Sequence, residues 1–158
     1  LVCEHSEEGT FGLVLNKLSD LTLNDVMDEE INFNGYLNIG GPVEQNTLHF
    51  VHRLKDEIPG SIELNKELSW SGDFEQIKFM LNSGMLKEDD IQFFLGYSGW
   101  GNGQLREELD NQSWFIRKKA TSQEVFDMES DILWKSILKQ MGGKYRVFSN
   151  YPVDPRLN

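Results

Sequence analysis

The sequence holds a single cysteine, four prolines and no apolar run approaching the ~20 residues that a bilayer-spanning helix requires. With Cys3 alone, neither an internal disulfide nor a thiolate metal cluster can form, so the core must carry the stability and a reducing compartment is expected. "LVCEH" at the start has neither the basic opening nor the apolar centre of a signal peptide, so the expected location is the cytoplasm. Basic residues are also scarce: 15 Lys and Arg against 26 Asp and Glu leave a net charge of −11. The imbalance sits in residues 1–79, with 15 acidic and 5 basic side chains. Such a surface repels a phosphate backbone and disfavours direct nucleic-acid binding. The lone basic cluster, "IRKKA" at 116–120, reads as lysines on a solvated strand edge.

What remains is a chain of 158 residues, 39% hydrophobic and 26% charged, with the size and balance of one globular domain. No repeat, low-complexity tract or long linker divides it, and short strand-like and helix-like segments intermix, which predicts a single α+β domain over 1–158. Strands are expected at the start, with Leu1, Val2 and Cys3, and in "TFGLVLN" (10–16), joined by a hairpin turn at "SEEG". Further strands are expected in 35–43, 47–54, 61–70, 90–100 and 113–120. A short acidic helix is predicted over 21–27, capped by Thr22 or Asn24, and a longer one over 71–84, capped by Ser71 or Asp73 and closed by Gly84. In "SDILWKSILKQMGG" (130–143), Trp134, Ile137, Leu138 and Met141 form a helical stripe expected to be core. The tail 149–158 reads either as an extended segment docked through Tyr151 and Val153, the favoured alternative, or as a disordered end.

The densest feature is "GYSGWGNGQLREEL" at 96–109, which reads as a strand ending in a glycine loop that feeds a helix. Backbone N–H groups at such a junction can face an anion, but the spacing of Gly96, Gly99, Gly101 and Gly103 matches neither a dinucleotide fingerprint nor a P-loop. The structural alternative is a loop that folds Tyr97 and Trp100 back over itself, with Gln104, Glu107 and Glu108 serving the start of the helix.

Catalytic patterns are sparse. On a regular strand, Cys3 and His5 would share a face with Glu4 opposite, the minimal arrangement of a reactive thiol, although no third group is evident to orient the imidazole. His49 and His52, three apart in a strand, point to opposite faces and cannot share a metal ion. No nucleophile elbow, zincin helix or paired-carboxylate motif occurs. No helix shows the clustered basic start of a DNA-recognition helix. No catalytic residue, metal or cofactor is therefore assigned.

The segments "LVCEHSEEGTFGLVLNK" (1–17), "GGPV" (40–43) and "LGYSGWGNGQLREELDNQSW" (95–114), with Phe126, Asp127 and Trp134 beyond them, resemble the YqgE/AlgH family of bacterial proteins over nearly the whole chain. The resemblance implies an α+β domain whose mixed sheet is bifurcated or barrel-like and flanked by helices. It also implies a segment preceding "LVCEH", absent here, that ends in the strand of which these residues are the middle. The family is often labelled a transcriptional regulator but carries no settled molecular activity. The expected function is accordingly a non-catalytic regulatory or interaction module that binds a protein partner or a small ligand. Its expected working surface comprises Glu4, His5, Gly40, Gly41, Tyr97, Trp100, Gln104 and Glu108. The alternative is a thiol-reactive protein or enzyme centred on Cys3 and His5.

Overall fold

A computed structural model describes residues 1–151. Eight strands form one mixed sheet, and its organiser is β8 (Ile91–Gly101), to which three other strands are hydrogen-bonded. Along one side it pairs antiparallel with β5 (Val43–His52). Along the other side the partner changes: Phe94 and Leu95 lie parallel to Asn38 and Ile39 of β4 (Tyr36–Ile39), whereas Ser98–Gly101 run antiparallel to β2 (Gly9–Gly12). β1 (Val2–His5) continues the second branch, and β3 (Leu18–Thr22) continues the first by pairing with β4. On the far side of β5 lie β7 (Leu68–Trp70) and β6 (Ile62–Asn65). The forked sheet curls into a nearly closed, barrel-like form.

The fork has an identifiable cause. Ile91, Phe93 and Leu95 enter one buried cluster and Phe94 the other, as the two-residue period of a strand requires. At Gly96 the backbone turns to φ +65, a region that penalises any β-carbon, and one placed there would lie 2.6 Å from the Val43 carbonyl oxygen. The alternation then slips by one residue, so Tyr97 packs on the same cluster as Phe94. The strand also changes partner at this point. The predicted glycine loop is thus a strand that bends: "GYSGW" remains in β8, and the chain leaves the sheet only after Gly101.

The helices cover the sheet. Leu23 of α1 (Leu23–Val26) and Ile77, Met80 and Leu81 of α2 (Phe74–Asn82) pack with Phe50, Ile91 and Phe93. Asp73, not Ser71, caps α2, accepting a hydrogen bond from the Gln76 amide at 3.2 Å. On the other cluster, Val125 of α4 (Ser122–Phe126) packs with Leu13, Val51, Leu68 and Phe94. α3 (Gln104–Asp110) follows β8 directly, and α5 (Ser130–Met141) and α6 (Gly143–Phe148) close the described chain.

Four further expectations are corrected. Residues 113–120 are not a strand: the segment crosses the surface without ladder bonds to any strand of the sheet. The "IRKKA" cluster is therefore no strand edge; Arg117 pairs with Glu124 of α4, and Lys118 and Lys119 are exposed. In α5 only Leu133 and Leu138 are fully buried, while Trp134, Ile137 and Met141 are half-buried, because this helix borders a cleft. Of the tail, Ser149 is buried and Tyr151 exposed, and the anchoring expected of Val153 lies outside the described residues.

Candidate functional site

The three strands β1, β2 and β8 form a ribbon whose register assigns each side chain to a face. His5 stands opposite Thr10, and Thr10 opposite Trp100, so these three share one face. Glu4 stands opposite Phe11, and Phe11 opposite Gly99, which puts Glu4 on the other face, where Phe11 stacks on Tyr97 at 4.7 Å between ring centroids. The eight residues expected to form one surface are thus divided. Glu4 and Tyr97 border an open hollow of about 490 Å³ with Ser6, Glu8 and Val43. Trp100 reaches both this hollow and a cleft of about 420 Å³ on the opposite side. Gly40 and Gly41 present nothing to a ligand: both are buried, and a β-carbon on Gly41 would stand 2.1 Å from the Tyr97 carbonyl carbon. Their role is to let the chain pass against β8.

Trp100 is neither sealed nor free. Its indole N–H donates to Glu108 Oε2 at 3.0 Å, and the Trp114 indole donates to the same oxygen at 2.7 Å. Gln104 donates from Nε2 to Glu108 Oε1 at 3.0 Å and accepts from the Gly101 amide at 3.0 Å. The two indoles meet edge to face, 5.8 Å between centroids. One carboxylate therefore ties the end of β8, the first turn of α3 and the segment after it into a unit. The donated bonds, from Trp114, then Trp100, then Gln104, hold the Glu108 carboxyl below the ordinary glutamate range. Local sequence explains the closure: the turn at Asn102 and Gly103, with φ +74 at Gly103, starts α3 so soon that Gln104 and Glu108, four apart, lie on one side of the helix under Trp100.

Below this rim the cleft is apolar. Leu105 and Leu109 come from α3, Trp114, Phe115 and Ile116 from the segment after it, and Leu133, Trp134 and Ile137 from α5. Trp114, Phe115 and Ile116 are 48%, 43% and 58% exposed, an unusual concentration of large apolar side chains in contact with solvent. Sequence reasoning missed this cleft because it assigned "SWFI" to a strand and the α5 stripe to the core. A signal was available in three consecutive bulky apolar residues, which no half-buried strand would alternate.

The thiol and imidazole are kept apart. Two β1 residues fall opposite one β2 step between Val2 and Glu4, a bulge at Cys3 that breaks the expected alternation. Cys3 packs half-buried against the Leu13 cluster, whereas His5 is exposed and its Nδ1 lies 2.6 Å from Thr10 Oγ1. Burial pushes the Cys3 thiol up to about 12, the opposite of activation. His49 lies against Phe11 and Tyr97, while His52, fully buried in the same strand, has its Nε2 3.1 Å from the Ser71 carbonyl oxygen. Among the described residues, no three or more His, Cys, Asp or Glu side chains group to hold a metal ion, and no helix is long and apolar enough to cross a membrane.

Comparison with known proteins places this architecture. The profile of DUF179, described as AlgH-like, matches residues 1–146. A UPF0301 protein of Cytophaga hutchinsonii is 45% identical, with the alignment covering 100% of this chain and 87% of the relative. One from Parabacteroides distasonis is 37% identical over 100% and 80% of the two chains. Among solved structures, the AlgH protein of Pseudomonas aeruginosa superposes with a TM-score of 0.74 at 25% identity, over 97% of this chain and 83% of that one. A Corynebacterium diphtheriae protein gives 0.74 at 26%, over 96% and 81%. The chain therefore belongs to the AlgH-like, UPF0301 family.

Proposed function

We propose that this protein is a non-catalytic interaction module that binds a protein partner at the face centred on Trp100, in the cleft between β8, α3 and α5. The observation that carries the reading is the Glu108 carboxylate, which holds two indoles, one half-buried and one largely exposed, at the mouth of an apolar cleft. Aromatic side chains pinned before binding lose little freedom when a partner arrives, so more of their contact area is converted into affinity. The partner's chemistry follows from the rim. Lys118 and Lys119 succeed the exposed Trp114–Ile116 run in a protein whose net charge is −11, so the best-matched partner is an apolar segment flanked by acidic residues. The thiol-reactive alternative is disfavoured by the raised Cys3 thiol and by the bulge that parts it from His5.

The test is affinity capture with the unaltered protein, followed by measured binding of the captured partner to Trp114→Ser and Ile116→Ser. Both positions are exposed, so the fold is retained. The expected loss of affinity is about ten-fold or more for at least one variant. Equal binding by both variants contradicts the reading.

A further inference from the structure

The sequence contains two Asn-Gly dipeptides, Asn34-Gly35 and Asn102-Gly103, and the fold treats them oppositely. In such a pair the backbone nitrogen of the glycine, with no side chain beside it, is able to attack the carboxamide carbon of the asparagine. A C–N bond forms, the bond to the side-chain nitrogen breaks, and ammonia leaves with the proton that the glycine nitrogen gave up. The product is a five-membered cyclic imide. Water then opens the ring at either carbonyl, giving an aspartyl residue or an isoaspartyl residue, in which the main chain runs through the former side chain. The conversion consumes one water, releases one ammonia and changes no oxidation state.

At 102–103 nothing in the fold opposes this reaction. Both residues are exposed and lie in the turn between β8 and α3. Among the described residues the Asn102 carboxamide has no hydrogen-bond partner, and neither has the Gly103 amide, which stands at a helix start, where N–H groups have no partner within the helix. A β-carbon added to Gly103 would meet no atom within 4 Å, so the space beside its nitrogen is open. At 34–35 the same chemistry is restrained. Asn34 donates from Nδ2 to Glu88 Oε1 at 3.0 Å and from its backbone N–H to the same oxygen at 2.9 Å, which fixes the carboxamide. The Phe33 ring covers Gly35, with Cζ 2.7 Å from where a β-carbon would stand. The Glu88 carboxylate also opposes the negative charge that gathers on the attacking nitrogen and the carboxamide oxygen.

We infer that Asn102 is a self-modification site, converted in the folded protein while Asn34 is preserved, and that its isoaspartyl form loosens the Trp100 rim. The second part follows from connectivity. The Gly101 amide donates to Gln104 Oε1 at 3.0 Å, and Gln104 Nε2 donates to the Glu108 carboxylate that also receives the Trp100 indole. Asn102 and Gly103 are the two residues that this contact spans, so an isoaspartyl linkage, one backbone atom longer, falls inside the shortest loop of the rim. No partner enters the argument, which stands or falls separately from the proposed function.

The experiment ages the folded full chain in mildly alkaline buffer made with heavy-oxygen water, then digests it at acid pH and maps the peptides by mass spectrometry. A parallel portion is aged in guanidinium chloride. In the folded protein, conversion at 102 is expected to be about ten-fold or more faster than at 34, the effect on a rate of first breaking hydrogen bonds to a charged group. Position 102 is expected to take up heavy oxygen and to yield both aspartyl and isoaspartyl peptides. In guanidinium chloride the two rates are expected to converge, because the dipeptides are the same. In ¹⁵N spectra of the aged protein, a second Trp100 indole signal is expected to grow in step with the isoaspartyl fraction, and Asn102→Gln, which lacks the five-membered route, is expected to show neither change. The inference is overturned if position 102 does not convert, if both sites convert equally in the folded protein, if the preference persists in guanidinium chloride, which assigns it to flanking residues and not to the fold, or if the Trp100 signal does not follow the isoaspartyl fraction.

Discussion

Before Gly96, β8 carries Ile91, Phe93, Phe94 and Leu95, none of them more than 7% exposed; after it, Tyr97 and Trp100 are half-buried and Gly99 is open to solvent. The same strand thus serves two ends. Its first half is packed on both sides by separate hydrophobic clusters, and its loss of contacts would be felt through the whole fold. Its second half is held in shape by a few polar bonds to Glu108 and Gln104, and leaves aromatic surface unused. Burial fixes the first half; hydrogen bonding and a backbone bend fix the second. A binding surface is better built the second way, because apolar area spent on the core is no longer available to a partner.

The sharpest way to break this contrast is to truncate one aromatic in each half. Phe94→Ala removes a fully buried ring from the smaller cluster and is expected to lower stability by about 3–5 kcal/mol in urea unfolding. Trp114→Ala, at the rim, is expected to cost about 1 kcal/mol or less. Comparable losses would show that the rim is part of the core after all.

A smaller effect distinguishes the strand beside each half. In β5, His52 stands opposite Ile91 and His49 opposite Phe94 with its ring packed on Tyr97 of the second half, and burial lowers the pKa of both. The Leu54 amide donates to His52 Nδ1 at 3.2 Å, so that nitrogen is unprotonated and adding a proton there sets two donors against each other. Because the unfolded chain binds these protons more readily, the stabilisation is complete above the ordinary histidine pKa of about 6.5 and is lost as pH falls toward the lowered folded values. Stability measured across this range is expected to decline below that point, and His52→Phe to flatten the decline more than His49→Phe, since only His52 is wholly buried. An equal or reversed order would contradict the contrast between the two halves.

Much of the first half was legible in the sequence and much of the second was not. The alternation and hairpin signals placed β1, β2 and β8, and the polar cap and closing glycine placed α2 within a few residues. These are local features, governed by period and by turn chemistry. The slip at Gly96 is not local: it exists because Val43 and Gly41 press against β8 from another part of the chain, and nothing in residues 96–101 alone distinguishes a loop from a bent strand. The same holds for "SWFI", whose strand propensity is real but which the tertiary fold leaves outside the sheet. Trp100, Gln104 and Glu108 were identified as neighbours, because helix spacing links the last two and the glycines bring the first back to them. Trp114, the second donor to the same carboxylate, was not, since its approach depends on where α3 ends. Glu4 and His5 were grouped together although adjacent strand residues face apart, and the bulge at Cys3 moved the thiol away from the imidazole.

The account turns on whether a single carboxylate grips both indoles. An acid titration of the ¹⁵N-labelled protein, following the indole N–H signals of Trp100 and Trp114, tests this directly. The donated bonds depress the Glu108 carboxyl, so the grip is complete at neutral pH and released only as pH falls below the ordinary glutamate range. Both signals are expected to move together with one shared midpoint there, and to lose that transition in Glu108→Gln. Separate midpoints, or no movement of the Trp114 signal, would mean that the rim is not pinned and that the surface ascribed to it is not prepared for a partner.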